Sequence, residues 1–144
     1  MTEEHVYILH GRVVHGKGAG SRHGMPTANL RCDEGTALPP LGVYGGYART
    51  DDGRWPGVTN IGPRPSDDDS PEITVETLLL GFSGDLYDRE LTLELRFYLR
   101  PIRRFPGGLD EVKAQVALDA AETLRRLAAE PGGKAPLANA PEEE

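Results

Sequence analysis

The stretch Glu90-Leu91-Thr92-Leu93-Glu94-Leu95-Arg96-Phe97-Tyr98-Leu99 decides the fold class. Leu91, Leu93, Leu95, Phe97 and Leu99 alternate with Thr92, Glu94, Arg96 and Tyr98. Successive side chains of an extended chain point to opposite faces, so this spacing puts the apolar groups on one face and the polar ones on the other. It predicts a half-buried antiparallel strand. Working outward, Ile73 to Phe82 reads as a further strand, ended by Ser83-Gly84-Asp85. Gly42 to Ala48 and Trp55 to Asn60 flank Thr50-Asp51-Asp52-Gly53, which has the residues of a tight turn. Val6 to Val14 is a mixed apolar stretch of the same kind. Short strands separated by turn residues predict an antiparallel sheet or a closed barrel. Gly42, Gly45 and Gly46 fall within one strand and suit a sharp bend, where a side chain would crowd its neighbours.

One helix is expected, over Leu109 to Ala129. Leu109, Val112, Val116, Ala120, Leu124 and Leu127 recur at spacings of three and four and form one apolar stripe. Asp110 and Glu111 in the first turn, with Arg125 and Arg126 in the last, complement the helix dipole. Pro131-Gly132-Gly133 stops it. Residues 134–144, rich in Ala, Pro and Glu, are expected to be disordered. The domain reading is therefore a barrel with its helix over 1–130 and a disordered tail over 131–144. About five or six strands precede the helix.

The 144 residues suit one domain, and 38% hydrophobic and 27% charged residues are ordinary for a globular protein. A net charge of −7 argues against a nucleic-acid partner, which needs a basic footprint. The lone Cys32 excludes an intrachain disulfide and a cysteine-based zinc site. His5, His10, His15 and His23 show no zincin spacing. No apolar run approaches the roughly 20 residues of a membrane span, and Met1-Thr2-Glu3-Glu4 lacks a signal-peptide profile. The expectation is a cytoplasmic, monomeric protein with no membrane partner.

The chemistry-bearing residues cluster early. Gly11 to Leu30 contains Gly11, Gly16, Gly18, Gly20 and Gly24 with Lys17 and Arg22. Such a loop offers backbone N–H groups and positive charge to a phosphate, or is simply a flexible turn. It is not a P-loop, because no Gly-Lys-Ser/Thr opens a helix. Pro26 holds the chain extended, so Thr27 and Asn29, two residues apart, project to one side. Their side-chain oxygens suit Mg²⁺, which takes few protein ligands when phosphates accompany it; equally, Thr and Asn are common turn-capping residues. Glu76, on the strand face shared with Leu78 and Leu80, is a candidate general base or an edge-strand charge.

Taken in order, these segments resemble the riboflavin kinase (flavokinase) family over about residues 11–127. The resemblance rests on Gly24-Met25-Pro26-Thr27-Ala28-Asn29-Leu30, similar to the family's Gly-Phe-Pro-Thr-Ala-Asn signature. Pro40-Leu41-Gly42-Val43-Tyr44, Gly57-Val58-Thr59-Asn60-Ile61-Gly62-Pro63-Arg64-Pro65, Val75-Glu76, Leu86-Tyr87, and Leu99-Arg100 followed by Phe105 continue it, and the helix carrying Asp119 closes it. It implies a mainly β fold, a six-stranded antiparallel Greek-key barrel with one C-terminal helix. It implies transfer of the ATP γ-phosphate to riboflavin, giving ADP and FMN. Thr27 and Asn29 would hold Mg²⁺ with ATP, Glu76 would take the ribityl hydroxyl proton, and Gly16, Gly18, Gly20, Arg22 and Gly24 would cradle the nucleotide. Arg100 and Phe105 are read as structural. Asp88 stands where the family has glycine, in a turn whose left-handed geometry Asp tolerates. Other departures, at His23, Met25 and Ser66-Asp67-Asp68-Asp69, fall in loops. They keep open a catalytically weak or inactive flavin- or nucleotide-binding regulator; an oligonucleotide-binding barrel is disfavoured by the acidic balance. The family module often follows a nucleotidyltransferase domain, and this chain is not expected to carry the adenylyl-transfer step.

Overall fold

The first half of the 90–100 stretch behaves as its alternation predicts. In a computed structural model, which describes residues 7–14, 27–64, 72–82, 86–103 and 105–129, it forms β6 (Glu90–Arg100). Leu91, Leu93 and Leu95 are fully buried in the core. Beyond Leu95 the period breaks. Where β6 pairs with β3 (Gly42–Thr50), the register runs Gly46 to Leu95, Gly45 to Phe97, Tyr44 to Tyr98 and Val43 to Arg100. Arg96 and Leu99 are thus inserted residues, and such bulges re-aim the side chains that follow. Phe97 and Leu99, expected on the core face, are only half-buried. The Phe97 ring lies instead over Gly45, which the helix residue Thr123 also approaches.

Among the described residues the remaining strands are β1 (Tyr7–Val14), β2 (Thr27–Cys32), β4 (Gly53–Arg64) and β5 (Glu72–Leu79). They close in the order β1-β2-β5-β4-β3-β6, every pairing antiparallel. The β3-β4-β5 meander, with β6 returning beside β3, is a Greek key. Among the described residues closure leaves no edge strand, since each strand has two paired neighbours. The Thr50–Gly53 turn falls where the sequence placed it, with the Asp52 amide donating to Thr50 Oγ1 at 2.9 Å. The strand begun near Ile73 ends earlier than expected, at Leu79, and Gly81 turns the chain at φ +84°. Asp88 does adopt the left-handed region, at φ +69°. The barrel interior is filled by Leu9, Val13, Leu30, Tyr44, Trp55, Ile61, Val75 and Leu79 around the three β6 leucines. It also contains one polar pair, Thr59 Oγ1 and Thr77 Oγ1, 2.8 Å apart. Replacing Thr77 with valine leaves the Thr59 hydroxyl without that partner. We expect the urea unfolding midpoint to fall by an amount equivalent to about 1–3 kcal/mol.

The helix, α1 (Leu109–Ala129), has the predicted bounds, and its inward side overlaps the expected stripe, with Val112, Val116 and Ala120 half-buried and Leu127 fully buried. It is turned, however, so that polar residues share that side. The residues it buries are Asp119, Thr123 and Leu127, whereas Leu109 and Leu124 of the expected stripe are 44% and 41% exposed. The rotation follows from β6: the bulge at Leu99 sends Arg100 outward, and Asp119 accepts from Arg100 Nε at 3.0 Å and Nη2 at 2.9 Å. A buried ion pair is far costlier to break than an exposed leucine is to leave in water, so the pair sets the helix orientation. At the start of α1, the Gly108 carbonyl (φ +86°) accepts from the Val112 amide at 3.1 Å. The expected stop at residues 131–133 and the tail over 131–144 lie outside the described residues. Among the described residues, no helix is long and apolar enough to cross a membrane.

Candidate active site on the outer face of the barrel

On β2, Ala28 and Leu30 point into the core, so Thr27 and Asn29 share the outer face. On β5, Val75, Thr77 and Leu79 are buried, which puts Glu76 outside with Leu78. The ladders then align three side chains across three strands. Asn29 of β2 is the register partner of Glu76, and Asn60 of β4 is its partner on the other side. Thr27 sits one step away, its Oγ1 3.5 Å from Glu76 Oε2, a long contact. These groups are half-buried.

The alternative reading of Glu76 as an edge-strand charge fails, because β5 lies between β2 and β4. The expected apolar surroundings are also corrected. Its cross-strand neighbours are two amides, so the carboxylate has polar flanks, and the leucine beside it is on its own strand. Asn60 is a site residue that the sequence reading quoted within a motif but did not select. Trp55, Thr59 and Ile61 are core residues, so Asn60, between the last two, faces outward, but its place beside Glu76 follows only from the pairing of β4 with β5. Gly16, Gly18, Gly20, Arg22 and Gly24 lie outside the described residues, as does the acidic run Asp67-Asp68-Asp69.

The available donors around Glu76 are a hydroxyl, two amide oxygens and a carboxylate, all hard oxygens of the type Mg²⁺ prefers. Among the described residues no three His, Cys, Asp or Glu side chains are grouped to hold a metal ion. The donor set therefore fits an ion that arrives with phosphate oxygens, and not an all-protein cage.

A concavity of about 460 Å³ lies away from this patch, between β1, the end of β2 and the start of β6, and does not include Glu76. Its charged groups are largely satisfied by each other. His10 Nδ1 is 2.9 Å from Asp33 Oδ2 and its Nε2 is 3.3 Å from Glu90 Oε1, while Arg12 donates to the Asp88 carbonyl at 2.7 Å. The Asp33 hydrogen bond, aided by both carboxylate charges, raises the His10 pKa above its usual 6.5. A raised folded-state value stabilises the protein fully below the unfolded-state pKa, and that contribution is lost as pH rises through the folded-state pKa. The native chain is thus expected to lose thermal stability relative to His10→Gln as pH increases from about 6 to about 8. Parallel pH-dependence in the two proteins would disprove it.

The family model for riboflavin kinases matches residues 3–127. A bifunctional riboflavin kinase/FMN adenylyltransferase of Pseudomonas fluorescens is 40% identical over 123 residues, 85% of this chain and 39% of its own length. An RNA-binding riboflavin kinase of Bacillus subtilis is 34% identical over 120 residues, 83% of this chain and 51% of its own. The chain thus spans about two fifths to one half of the length of these relatives. Among solved structures, a macrolide-efflux protein of Streptococcus pneumoniae superposes with a TM-score of 0.72 at 26% identity, covering 81% of this chain and 38% of that one. Riboflavin kinase of Trypanosoma brucei superposes with a TM-score of 0.57 at 22% identity, covering 88% and 84%, a likeness of fold alone. The family match over almost the whole folded region agrees with the six-stranded Greek-key barrel and with the order of motifs along it: this chain belongs to the riboflavin kinase family.

Proposed function

We propose that the chain transfers the γ-phosphoryl group of ATP to the ribityl 5′-hydroxyl of riboflavin, releasing ADP and FMN. The observation that carries this reading is the convergence of Thr27, Asn29 and Glu76 on one patch of the outer barrel face. Thr27 and Asn29 are the protein ligands of a Mg²⁺ ion that enters with ATP. When bound, that ion neutralises the phosphate charge. The glycine-rich segment carrying Gly16, Gly18, Gly20, Arg22 and Gly24 leads directly into Thr27 in the sequence, which suits a nucleotide cradle on the β2 side. Glu76 accepts the hydroxyl proton as the O–P bond forms, and Asn29 and Asn60 flank its carboxylate. Phosphoryl transfer asks the protein mainly for positioning and charge stabilisation, and three side chains fixed by strand register provide both.

The test is chromatographic detection of FMN after incubation of the purified chain with riboflavin, ATP and Mg²⁺. FMN that disappears on chelation supports the proposal. A folded chain that binds riboflavin but never forms FMN, whatever the metal or nucleotide, would instead establish a binding module. Asn29→Ala separates metal binding from base chemistry. It is expected to raise the half-saturating Mg²⁺ concentration by about tenfold, the equivalent of one ordinary polar interaction. An unchanged Mg²⁺ titration would remove Asn29 from the ligand set.

A further inference from the structure

Asp119 is 6% exposed, and every partner it has leads toward the segment between β6 and α1. Its carboxylate receives Arg100 at the end of β6 through two guanidinium nitrogens, and Gln115 Nε2 at 3.0 Å. Gln115 in turn accepts from Arg103 Nη1 at 2.9 Å, and Arg103 Nη2 reaches Glu111 Oε2 at 2.6 Å. Glu111 closes the circuit by accepting from the Gly107 amide at 2.7 Å. Phe105 lies beneath the Arg103 guanidinium, 4.5 Å from the ring centroid. Residues 101–103 and 105–108 are thereby tied to the helix at several points. Between those ties, Ile102 packs over Gly62, where an added Cβ would come within 3.0 Å of Ile102 Cδ1 and 3.7 Å of Asn60 Nδ2. Asn60 is the register partner of Glu76 on β4.

We propose that this Asp119-centred network is a positioning device for the phosphate acceptor: it holds the segment carrying Ile102 beside the Asn60 flank of Glu76, where it forms the wall that seats the acceptor alcohol. The inference rests on the phosphotransferase reading above. Thr27 and Asn29 occupy the β2 flank of Glu76, so an in-line acceptor must approach from the other side, toward β4. A buried ion pair brings no clear gain in stability over well-packed apolar groups, and besides orienting the helix this one is the point from which the segment is tied down. Asp119 and Arg103 are positioning residues, without contact to the reacting atoms.

The experiment compares the native chain with Asp119→Asn and with Arg103→Ala, which removes a 40% exposed side chain and spares the core. Riboflavin affinity is read by quenching of flavin fluorescence, KM for each substrate by FMN formation, and segment order by amide hydrogen exchange at residues 102–108. In Asp119→Asn we expect riboflavin affinity to fall by about tenfold and exchange to quicken by at least about as much, with KM for Mg-ATP within about twofold. Arg103→Ala is expected to show the same pattern at smaller size. Unchanged exchange would show that the network does not hold the segment. Faster exchange with unchanged riboflavin affinity, or equal loss for both substrates, would overturn the acceptor-wall role. If Asp119→Asn does not fold, Arg103→Ala decides the matter by the same criteria. A native chain that binds riboflavin without making FMN would end the kinase reading while the affinity comparison still tests this one. A native chain that binds no riboflavin would end both.

Discussion

Replacing Glu76 with glutamine is expected to lower kcat for FMN formation by about 10²–10⁴-fold, the usual range for a lost general base, while leaving KM for Mg-ATP within about threefold. The substitution is nearly isosteric. It keeps an oxygen that can face Thr27 Oγ1, now 3.5 Å from the carboxylate, and keeps the cross-strand packing with Asn29 and Asn60. What it removes is the ability to take a proton. Steady-state kinetics with both substrates varied checks the split. A parallel rise in the Mg²⁺ requirement would instead make Glu76 part of the metal site, because a carboxylate ligand cannot be neutralised without weakening ion binding. Full activity in the variant would exclude the base role altogether.

The largest expected effect on stability comes from Gly46→Ala. In β3 the ladder brings Gly46 opposite Leu95, at the bulge where Arg96 is inserted. A methyl group built on Gly46 would fall well inside contact distance of the Glu94 carbonyl oxygen, with the Glu94 carbonyl carbon at 2.9 Å. Those are backbone atoms of the neighbouring strand, so no side-chain rotation relieves the clash. The β3–β6 ladder would have to open, and the same strand pair carries the bulges that aim Phe97 and Arg100 at α1. We expect a loss of about 3 kcal/mol or more, at the upper end of overpacking costs. Urea denaturation measures it. Gly57→Ala is the comparison, since its added methyl would meet the Thr77 methyl at 3.2 Å, a side-chain contact that a small shift relieves. Equal midpoints for the two variants would show that the close strand approach at Gly46 is not what the glycine provides.

Much of the barrel was legible from local pattern. Alternation in residues 90–95, the Thr50–Gly53 turn and the helix bounds Leu109–Ala129 each depend on interactions within a few residues. Short-range sterics and periodicity determine such features, so composition and spacing suffice to place them. Thr27 and Asn29 sharing one side of an extended chain is of the same kind. The candidate site was legible as residue types in a motif order that matches a family, and less so as geometry.

What only the tertiary structure decided depends on contacts between distant parts of the chain. Strict alternation placed Phe97 and Leu99 in the core, but pairing with β3 inserts bulges at Arg96 and Leu99, and no local pattern encodes a partner strand's curvature. The apolar stripe placed the inward side of α1 only in part: Leu127 is buried as expected, yet an ion pair between Arg100 and Asp119, 19 residues apart, brings Asp119 and Thr123 inward and leaves Leu109 and Leu124 exposed. Asn60 became a site residue only when β4 was set beside β5 in register with Glu76. The sequence by itself determined which residues could bind a metal, accept a proton and build strands, because those are properties of side chains and of near neighbours. Which of them meet was decided by barrel closure, since strand register converts positions far apart in the chain into one row of side chains.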